Sequence, residues 1–535
     1  MRGAHLAEFC NTFKEVILAS SPGSIRVLFI YPNLMLQTML PSSMTVLSAV
    51  LKSRGHSVDV FDTTFYATEE HSSNEYRVQR LQMRPFDTGA QRKLLRSVES
   101  MVQDLRSKIE AFQPHLIAVS ALEDTFLLGA QLLDAVRDYA IPHLVGGIYP
   151  TFAPDLVISH PSVDMICIGE GEGALVDLCE TLATGKDTST ISNLWVKKRA
   201  GEIRKNPIRP ALNLDELPLP DYSLFPEQRM YFPMGGRLLR IGAVETHRGC
   251  PYRCTFCNSP GTYDLYGDAA AGNFIRLKSV ENVHRELRYL IDEKKVEYIR
   301  FPADTFLAMP NAYFYDFAEM YKQVRLPFWC QTRPETLTQE RVNILSEIGC
   351  ADISIGIEHG NEDFRRDIVG RNYSNELLLE RVGNVRDASF KLRVNNIIGL
   401  PRETRRLTAD TIAINRKIQS LVECANAFHF APYRGTKLRD LALRLGYIKE
   451  DTVVEHNTKD TVLDMPQYPR EHINGAIRTF NMYLRFPESY FPKIAVAEKF
   501  DKEGNRMFEA LRQEFSERYY GGVSGANDLE HAASV

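Results

Sequence analysis

At 535 residues the chain is too long for one ordinary hydrophobic core, so two or three domains are expected. Hydrophobic residues at 44% and charged residues at 25% are the proportions of a soluble globular protein. A formal net charge of -4 gives no electrostatic case for a nucleic-acid partner. No apolar run reaches the ~18 residues that a membrane span needs. The first two dozen residues carry Glu8, Lys14 and Glu15 and lack an apolar signal core, so no secretion signal is expected. Nine cysteines, an odd number with only three clustered, read as reduced thiols and point to a cytoplasmic protein.

Residues 1–24 are an undistinguished lead-in. Strand and helix patterns then alternate. Arg26 to Tyr31, Ser57 to Phe61, Leu116 to Ser120, His143 to Val145 and Met165 to Ile168 read as strands. Helices are expected over Ser42 to Arg54, Gln91 to Phe112, Thr125 to Tyr139 and Ala174 to Thr184, with a polar insertion over Glu69 to Gly89. Five strands separated by helices predict an α/β domain at 25–186, a doubly wound parallel sheet whose ligand lies beyond the strands' carboxyl ends. Those ends read Tyr31-Pro32-Asn33-Leu34, Ser120-Ala121-Leu122-Glu123, Gly146-Gly147-Ile148-Tyr149 and Gly169-Glu170-Gly171-Glu172-Gly173. The first lacks GxGxxG, which disfavours a plain dinucleotide fold. Two carboxylates in the last would face phosphates, so the glycines read better as close backbone approach to a large flat ligand. Residues 187–240, with Pro218 and Pro220, read as an extended connector.

A second alternation starts at Gly242. Strands are expected at Ala243 to Thr246, Tyr298 to Phe301, Phe328 to Cys330, Asp352 to Ile357, Leu392 to Ile398 and Asn426 to Phe430. Helices between them are expected at Ser279 to Leu290, Asn311 to Val324, Gln339 to Ile348, Asn375 to Ala388 and Thr408 to Ser420. Six repeats, two short of a closed eightfold barrel, predict a partial barrel over 241–438 with its site at the strands' carboxyl ends. Asp304, Gln331, Arg333, Glu358, Gly399 and Tyr433 all fall at such ends. Residues 439–535 turn helical and aromatic, a cap or a substrate lid, and 523–535 read as a terminal tail.

The strongest signal follows the first of these strands: His247-Arg248-Gly249-Cys250-Pro251-Tyr252-Arg253-Cys254-Thr255-Phe256-Cys257-Asn258. Gly249 and Pro251 argue for a loop, not a helix. Thiolates select zinc or an iron–sulfur cluster. Structural zinc wants four ligands, with His247 as the available fourth. Three thiolates on a four-iron cluster leave one iron open to a substrate or cofactor.

The Cx3Cx2C spacing with Phe256 before the last cysteine resembles the signature of the radical S-adenosylmethionine (SAM) superfamily. The resemblance implies a 4Fe–4S cluster on Cys250, Cys254 and Cys257, where radical initiation takes place. Ile355-Gly356-Ile357-Glu358-His359-Gly360 resembles a family segment whose glutamate helps hold SAM, although His359 stands where a small residue is usual. Ile397-Ile398-Gly399-Leu400-Pro401 resembles the adenine-side strand end, with Arg402 in place of a frequent glycine. The SAM contacts implied are Glu358, the backbone at Phe256, Arg333, Asp304, Gln331, Ile398, Gly399 and Tyr433.

The loops of the first domain, above all Val145-Gly146-Gly147-Ile148-Tyr149-Pro150-Thr151, resemble the cobalamin-binding domain that often precedes a radical SAM domain. Asn33, Leu34, Ser120, Leu122, Glu123, Gly146, Gly147, Ile148, Tyr149, Gly169, Glu170 and Gly171 are the contacts this implies. The Tyr31 to Gln37 stretch has no histidine, so no cobalt ligand is expected from it. The activity implied is methylation of an unactivated carbon of a small, secondary-metabolite or lipid-like substrate, through a 5′-deoxyadenosyl radical and methylcobalamin. A reduced flavodoxin- or ferredoxin-type donor would supply the electron. Cobalamin-assisted rearrangement, cyclisation or oxidation is the alternative, and a corrinoid- or zinc-binding module without catalysis is a third.

Overall fold

The computed structural model describes residues 23–198, 201–267 and 274–521. Most of the expected lead-in and the 523–535 tail lie outside the described residues. The chain divides into two compact units, the first drawn from residues up to 70, 94–229 and 262–274, the second from 71–93, 230–261 and 275 onward.

In the first unit, β1 (Arg26–Tyr31) is followed by α1 (Ser42–Ser53) and β2 (Ser57–Asp62). After α2 (Ser73–Gln79), which belongs to the second unit, come α3 (Met101–Phe112), β3 (Leu116–Ser120), α4 (Phe126–Ala135), β4 (His143–Gly146), β5 (Met165–Cys167) and α5 (Glu172–Ala183). The sheet order is β2-β1-β3-β4-β5, all parallel, as the alternation predicts. Val27, Leu28, Phe29 and Ile30 are consecutive and buried, the run expected of a strand covered on both faces.

Two expectations need correction. The helix expected from Gln91 begins only at Met101. Arg96 is held in a β-bridge to Tyr66, its N–H donating to the Phe65 carbonyl (2.8 Å), and Ser97 accepts the Glu99 N–H (3.2 Å) to start a new turn. Residues 187–240 are not a connector. β6 (Leu194–Lys197) and β7 (Ile203–Lys205) add antiparallel to β5 and cover its edge. Further along, Asp221 accepts from Ser48 (2.6 Å) and Lys52 (2.5 Å), and the fully buried Arg229 pairs with Asp62.

In the second unit, β8 (Tyr231–Met234) and β9 (Arg237–Ala243) form a hairpin across Gly235-Gly236, both with positive φ (59° and 85°), which a two-residue turn of this hand demands. The first barrel strand therefore ends at Ala243, where it was expected to start. A short ribbon of β10 (His247–Arg248) and β11 (Arg276–Leu277) flanks the cysteine loop. Then α6 (Val280–Asp292), β12 (Tyr298–Phe301), α7 (Asn311–Tyr321), β13 (Phe328–Thr332), α8 (Gln339–Glu347), β14 (Cys350–Glu358), α9 (Asn375–Gly383), β15 (Lys391–Ile398), α10 (Arg405–Ile418) and β16 (Val422–His429) alternate. The sheet order β16-β15-β14-β13-β12-β9-β8 is six parallel strands and one antiparallel, an open half-barrel. Along β15, Leu392, Val394, Asn396 and Ile398 are buried, and Asn396 meets Asn415 of α10 (3.2 Å); Arg393, Asn395 and Ile397 alternate onto the other face.

Residues 71–93 bridge the two edge strands of this sheet. Gln82 donates to the Ala427 carbonyl on β16 (3.1 Å) and Gln91 to the Tyr231 carbonyl on β8 (3.4 Å). Such a strap satisfies edge groups that an open sheet leaves bare. The C-terminal region is helical as expected, with α11 (Lys437–Arg444), α12 (Arg470–Arg485) and α13 (Lys502–Tyr519). Among the described residues no helix is long and apolar enough to cross a membrane.

Candidate active site

The cysteine loop runs without helix from Gly249 (φ 94°) to Asn258. Backbone bonds hold it in place. The Thr255 N–H donates to the Val369 carbonyl (3.1 Å), the Leu438 N–H to the Thr255 carbonyl (3.1 Å), and the Asn258 side chain to the Arg434 carbonyl (2.7 Å). Gly370 (φ 72°) makes this approach feasible, because a Cβ there would sit 3.2 Å from both the Arg253 carbonyl and the Thr255 side chain.

Each sulfur has its own polar neighbour. Cys250 lies 3.4 Å from the Thr305 hydroxyl, Cys257 accepts the Ser259 N–H (3.4 Å), and the buried Cys254 accepts from Arg333 Nη1 (3.3 Å). Donors of this kind suit sulfurs that carry negative charge. Among the described residues no three His, Cys, Asp or Glu side chains gather tightly enough for a single metal ion, and the His247 ring turns instead to the Thr246 hydroxyl (3.0 Å). Three thiols without a fourth protein ligand fit a four-iron cluster better than a zinc knuckle.

Glu358 ends β14 in a left-handed conformation (φ 65°), buried, with its carboxylate 2.9 Å from Arg371 Nη2. Burial pushes the Glu358 carboxyl above the usual range, with Arg371 and Arg333 pulling back. Burial works hardest against the Arg371 charge, but Glu358, Cys254 and Tyr373 together outweigh it and hold Arg371 above its ordinary value. Arg371 also bonds the Gly356 carbonyl and stands 5.6 Å from the Phe256 ring.

Several expected SAM contacts have protein partners of their own. Arg333 stacks on Tyr252 (3.8 Å) and pairs with Glu335 beside Cys254. The N–H groups of Gly399 and Leu400 both donate to Glu403 (2.7 and 2.9 Å), and Ile398 is buried. Gln331 donates to the Ala303 carbonyl (3.2 Å), and exposed Asp304 accepts from Ser259 (2.7 Å). Tyr433 is half-buried in the loop after β16. His359 is wholly buried against Phe364 (4.4 Å) and accepts the Asn361 N–H (3.1 Å). Sequence reading places Thr305 and Glu403 at strand ends without giving them a role, and it misses Arg371 and Ser259, which sit in no recognisable local pattern.

In the first unit the strand ends form a rim. Gly147 (φ 111°) lies so close to Ala121 that a Cβ would stand 2.5 Å from its carbonyl oxygen. Beside it, Leu122 and Ile148 are 51% and 46% exposed, large apolar side chains facing water. That combination fits a flat, largely apolar ring. Ser120, Leu34 and Gly146 are half-buried around it. Asn33 binds Thr63, Thr64 and Gln37 and so shapes the loop after β1, while Tyr149 is buried against Phe126 (5.1 Å) and Glu123 is buried. At Gly169-Glu170-Gly171 the Tyr266 hydroxyl accepts the Glu170 N–H (2.6 Å), which fills that part of the rim with protein.

A radical SAM superfamily model matches residues 244–413, and a B12 binding domain model matches residues 36–179. The chain therefore joins a B12-binding domain to a radical SAM domain, which implies a 4Fe–4S cluster, SAM and cobalamin as its cofactors. It is similar to an uncharacterized methyltransferase, PH0819, of Pyrococcus horikoshii (27% identical, covering 76% of this chain and 86% of that one). It is also similar to the anaerobic magnesium-protoporphyrin IX monomethyl ester cyclase of Rubrivivax gelatinosus (22%, covering 60% and 58%). In fold it resembles the radical SAM methyltransferase TsrM from Kitasatospora setae (TM-score 0.63, 16% identity, 92% of this chain and 99% of that one).

Proposed function

We propose that the protein is a cobalamin-dependent radical SAM enzyme that methylates an unactivated carbon of a small molecule. The observation that carries this reading is a loop of three free cysteines, each with its own polar partner, in a chain that also bears a glycine-lined rim with exposed Leu122 and Ile148. When bound, the cluster supplies the electron that cleaves SAM and the corrinoid supplies the methyl group.

The chain's own residues bind and orient. Cys250, Cys254 and Cys257 hold the cluster, with Thr305, Ser259 and Arg333 donating to or lying against their sulfurs. Glu358, fixed by Arg371, presents a buried carboxylate suited to the SAM ammonium; the Phe256 ring lies 5.6 Å from Arg371, and its backbone is the second SAM contact. Leu122, Gly147 and Ile148 seat the corrin face. The substrate has a secondary-metabolite or lipid-like character, and a reduced flavodoxin- or ferredoxin-type protein is the donor.

The test is product accounting under anaerobic conditions with a strong reductant. Methyl transfer predicts one 5′-deoxyadenosine and one S-adenosylhomocysteine per methylated product. Deoxyadenosine without methylated product would select a rearrangement, cyclisation or oxidation, a reading supported by the similarity to the Rubrivivax cyclase. Zinc in place of iron, with no SAM cleavage, would sink both and leave a binding module.

A further inference from the structure

The sheet face of the half-barrel opposite the helices carries an excess of positive charge. Arg300 on β12 lies flat over Trp329 (4.1 Å) with Phe232 5.2 Å away. Its Nε has no partner among the described residues, and no carboxylate pairs with its guanidinium. Arg77 arrives from the strap, on α2, and donates to Asn426 (3.1 Å) and Asn74 (3.4 Å); among the described residues its Nε is also unpartnered and it has no ion pair.

Arg393 is the third guanidinium, bound to Asp352 (2.9 and 2.8 Å), which also accepts from Tyr298 (3.0 Å). The other nearby carboxylate, Glu423, is taken by Arg84 (2.7 Å) and Lys391 (3.8 Å). Burial keeps the Cys424 thiol high, hence neutral. Burial also pushes Arg300 down to about 10, with Arg393 and Arg77 pressing the same way. Three guanidiniums thus share one carboxylate, Asp352, which Arg393 already engages, and two uncompensated charges in a half-buried layer carry a cost.

We propose that this layer binds a phosphate group of the substrate, with Arg300 and Arg77 as its principal ligands and Arg393 as the third. Two unpaired cations match a phosphate dianion, whereas a carboxylate would leave one over. Guanidiniums also give the bidentate geometry that phosphate oxygens accept. Because Arg77 lies on the strap, the site is complete only when residues 71–93 bridge the sheet edges. β15 continues five residues beyond Arg393 to Ile398, about 17 Å at strand rise. The anion thus lies below the carboxyl rim at β15 and close to it at β12, where Arg300 is next to the last residue, so it belongs to the same molecule that reacts at the rim. That link rests on the function proposed above; the anion site itself does not.

The experiment uses the full chain with Trp195→Phe, which leaves Trp329 as the lone tryptophan of the two. Inorganic phosphate is titrated at constant ionic strength while Trp329 fluorescence is read, with acetate and chloride as comparison anions. A saturable change with phosphate, weakened about tenfold or more by Arg300→Gln and by Arg77→Gln, is expected. Arg77→Gln leaves the Arg300–Trp329 stack intact and so guards against a folding defect at Arg300. No saturable change, or equal response in both variants, overturns the site, and acetate binding as tightly as phosphate overturns the phosphate assignment. Neither iron nor SAM enters the assay, so its failure leaves the SAM-cleavage reading standing.

Discussion

Alanine at Gly356 would place a methyl carbon 2.9 Å from Glu358 Cδ and 3.1 Å from Arg371 Nη1, with a carboxylate oxygen nearer still. Neither neighbour has room to move. Glu358 is fixed by its left-handed backbone, and both side chains are less than a tenth exposed. Overpacking alone costs about 1–3 kcal/mol. Parting a buried ion pair costs about 3–5 kcal/mol, because each charge then lacks its partner. We expect a total loss of about 4–8 kcal/mol, about 10–20 °C in the midpoint of a unit this size, together with loss of SAM affinity.

Gly383→Ala is the matched control. It closes α9 with nothing within 4 Å of the added methyl, so about 0.5–1 kcal/mol of gain is expected from helix propensity. Urea unfolding followed by circular dichroism, and equilibrium dialysis with SAM, read the two variants side by side. If G356A and G383A unfold alike and bind SAM alike, Glu358 and Arg371 do not form the pair described.

Arg229→Met tests the anchor of the first unit. Besides Asp62, the buried guanidinium donates to the Thr38 (3.1 Å) and Met39 (2.9 Å) carbonyls and stacks near Phe225 (5.0 Å). Stranding Asp62 should cost about 3–5 kcal/mol, and a thermal midpoint within 2 °C or so of the parent would contradict the pairing. His429 makes the second unit acid-sensitive. Burial first, then the Arg80 guanidinium, hold its imidazole at about 4, against the opposing pull of Asn457, Asn474 and Asp460. The unfolded chain takes up the proton first, so stability is intact above pH 6.5 and falls towards pH 4, by about 2 kcal/mol at pH 5. His429→Gln should flatten that slope in urea titrations at several pH values; an unchanged slope would assign the acid sensitivity elsewhere.

Much of the architecture is written in local pattern. The run from Val27 to Ile30 is apolar because a parallel strand is covered by helices, and the spacing of the strands by helical stretches sets the α/β order. Boundaries were less legible where a side chain competed with the helix, as at Ser97, or where Gly235-Gly236 turned the chain early. The residues expected to touch SAM divide the same way. Glu358 ends its strand and was visible, but its partner Arg371 lies thirteen residues on, past a short helical segment.

The sequence by itself determined the three thiols, their spacing and the two alternating segments, since each is a matter of neighbours along the chain. Only the tertiary structure decided which charges pair. Arg333 turned to Cys254 and Glu335, Glu403 took the Gly399 and Leu400 amides, and residues 71–93 left the first unit for the edges of the second sheet. Ion pairs and edge closure depend on distance in space, which hydrophobic periodicity does not encode.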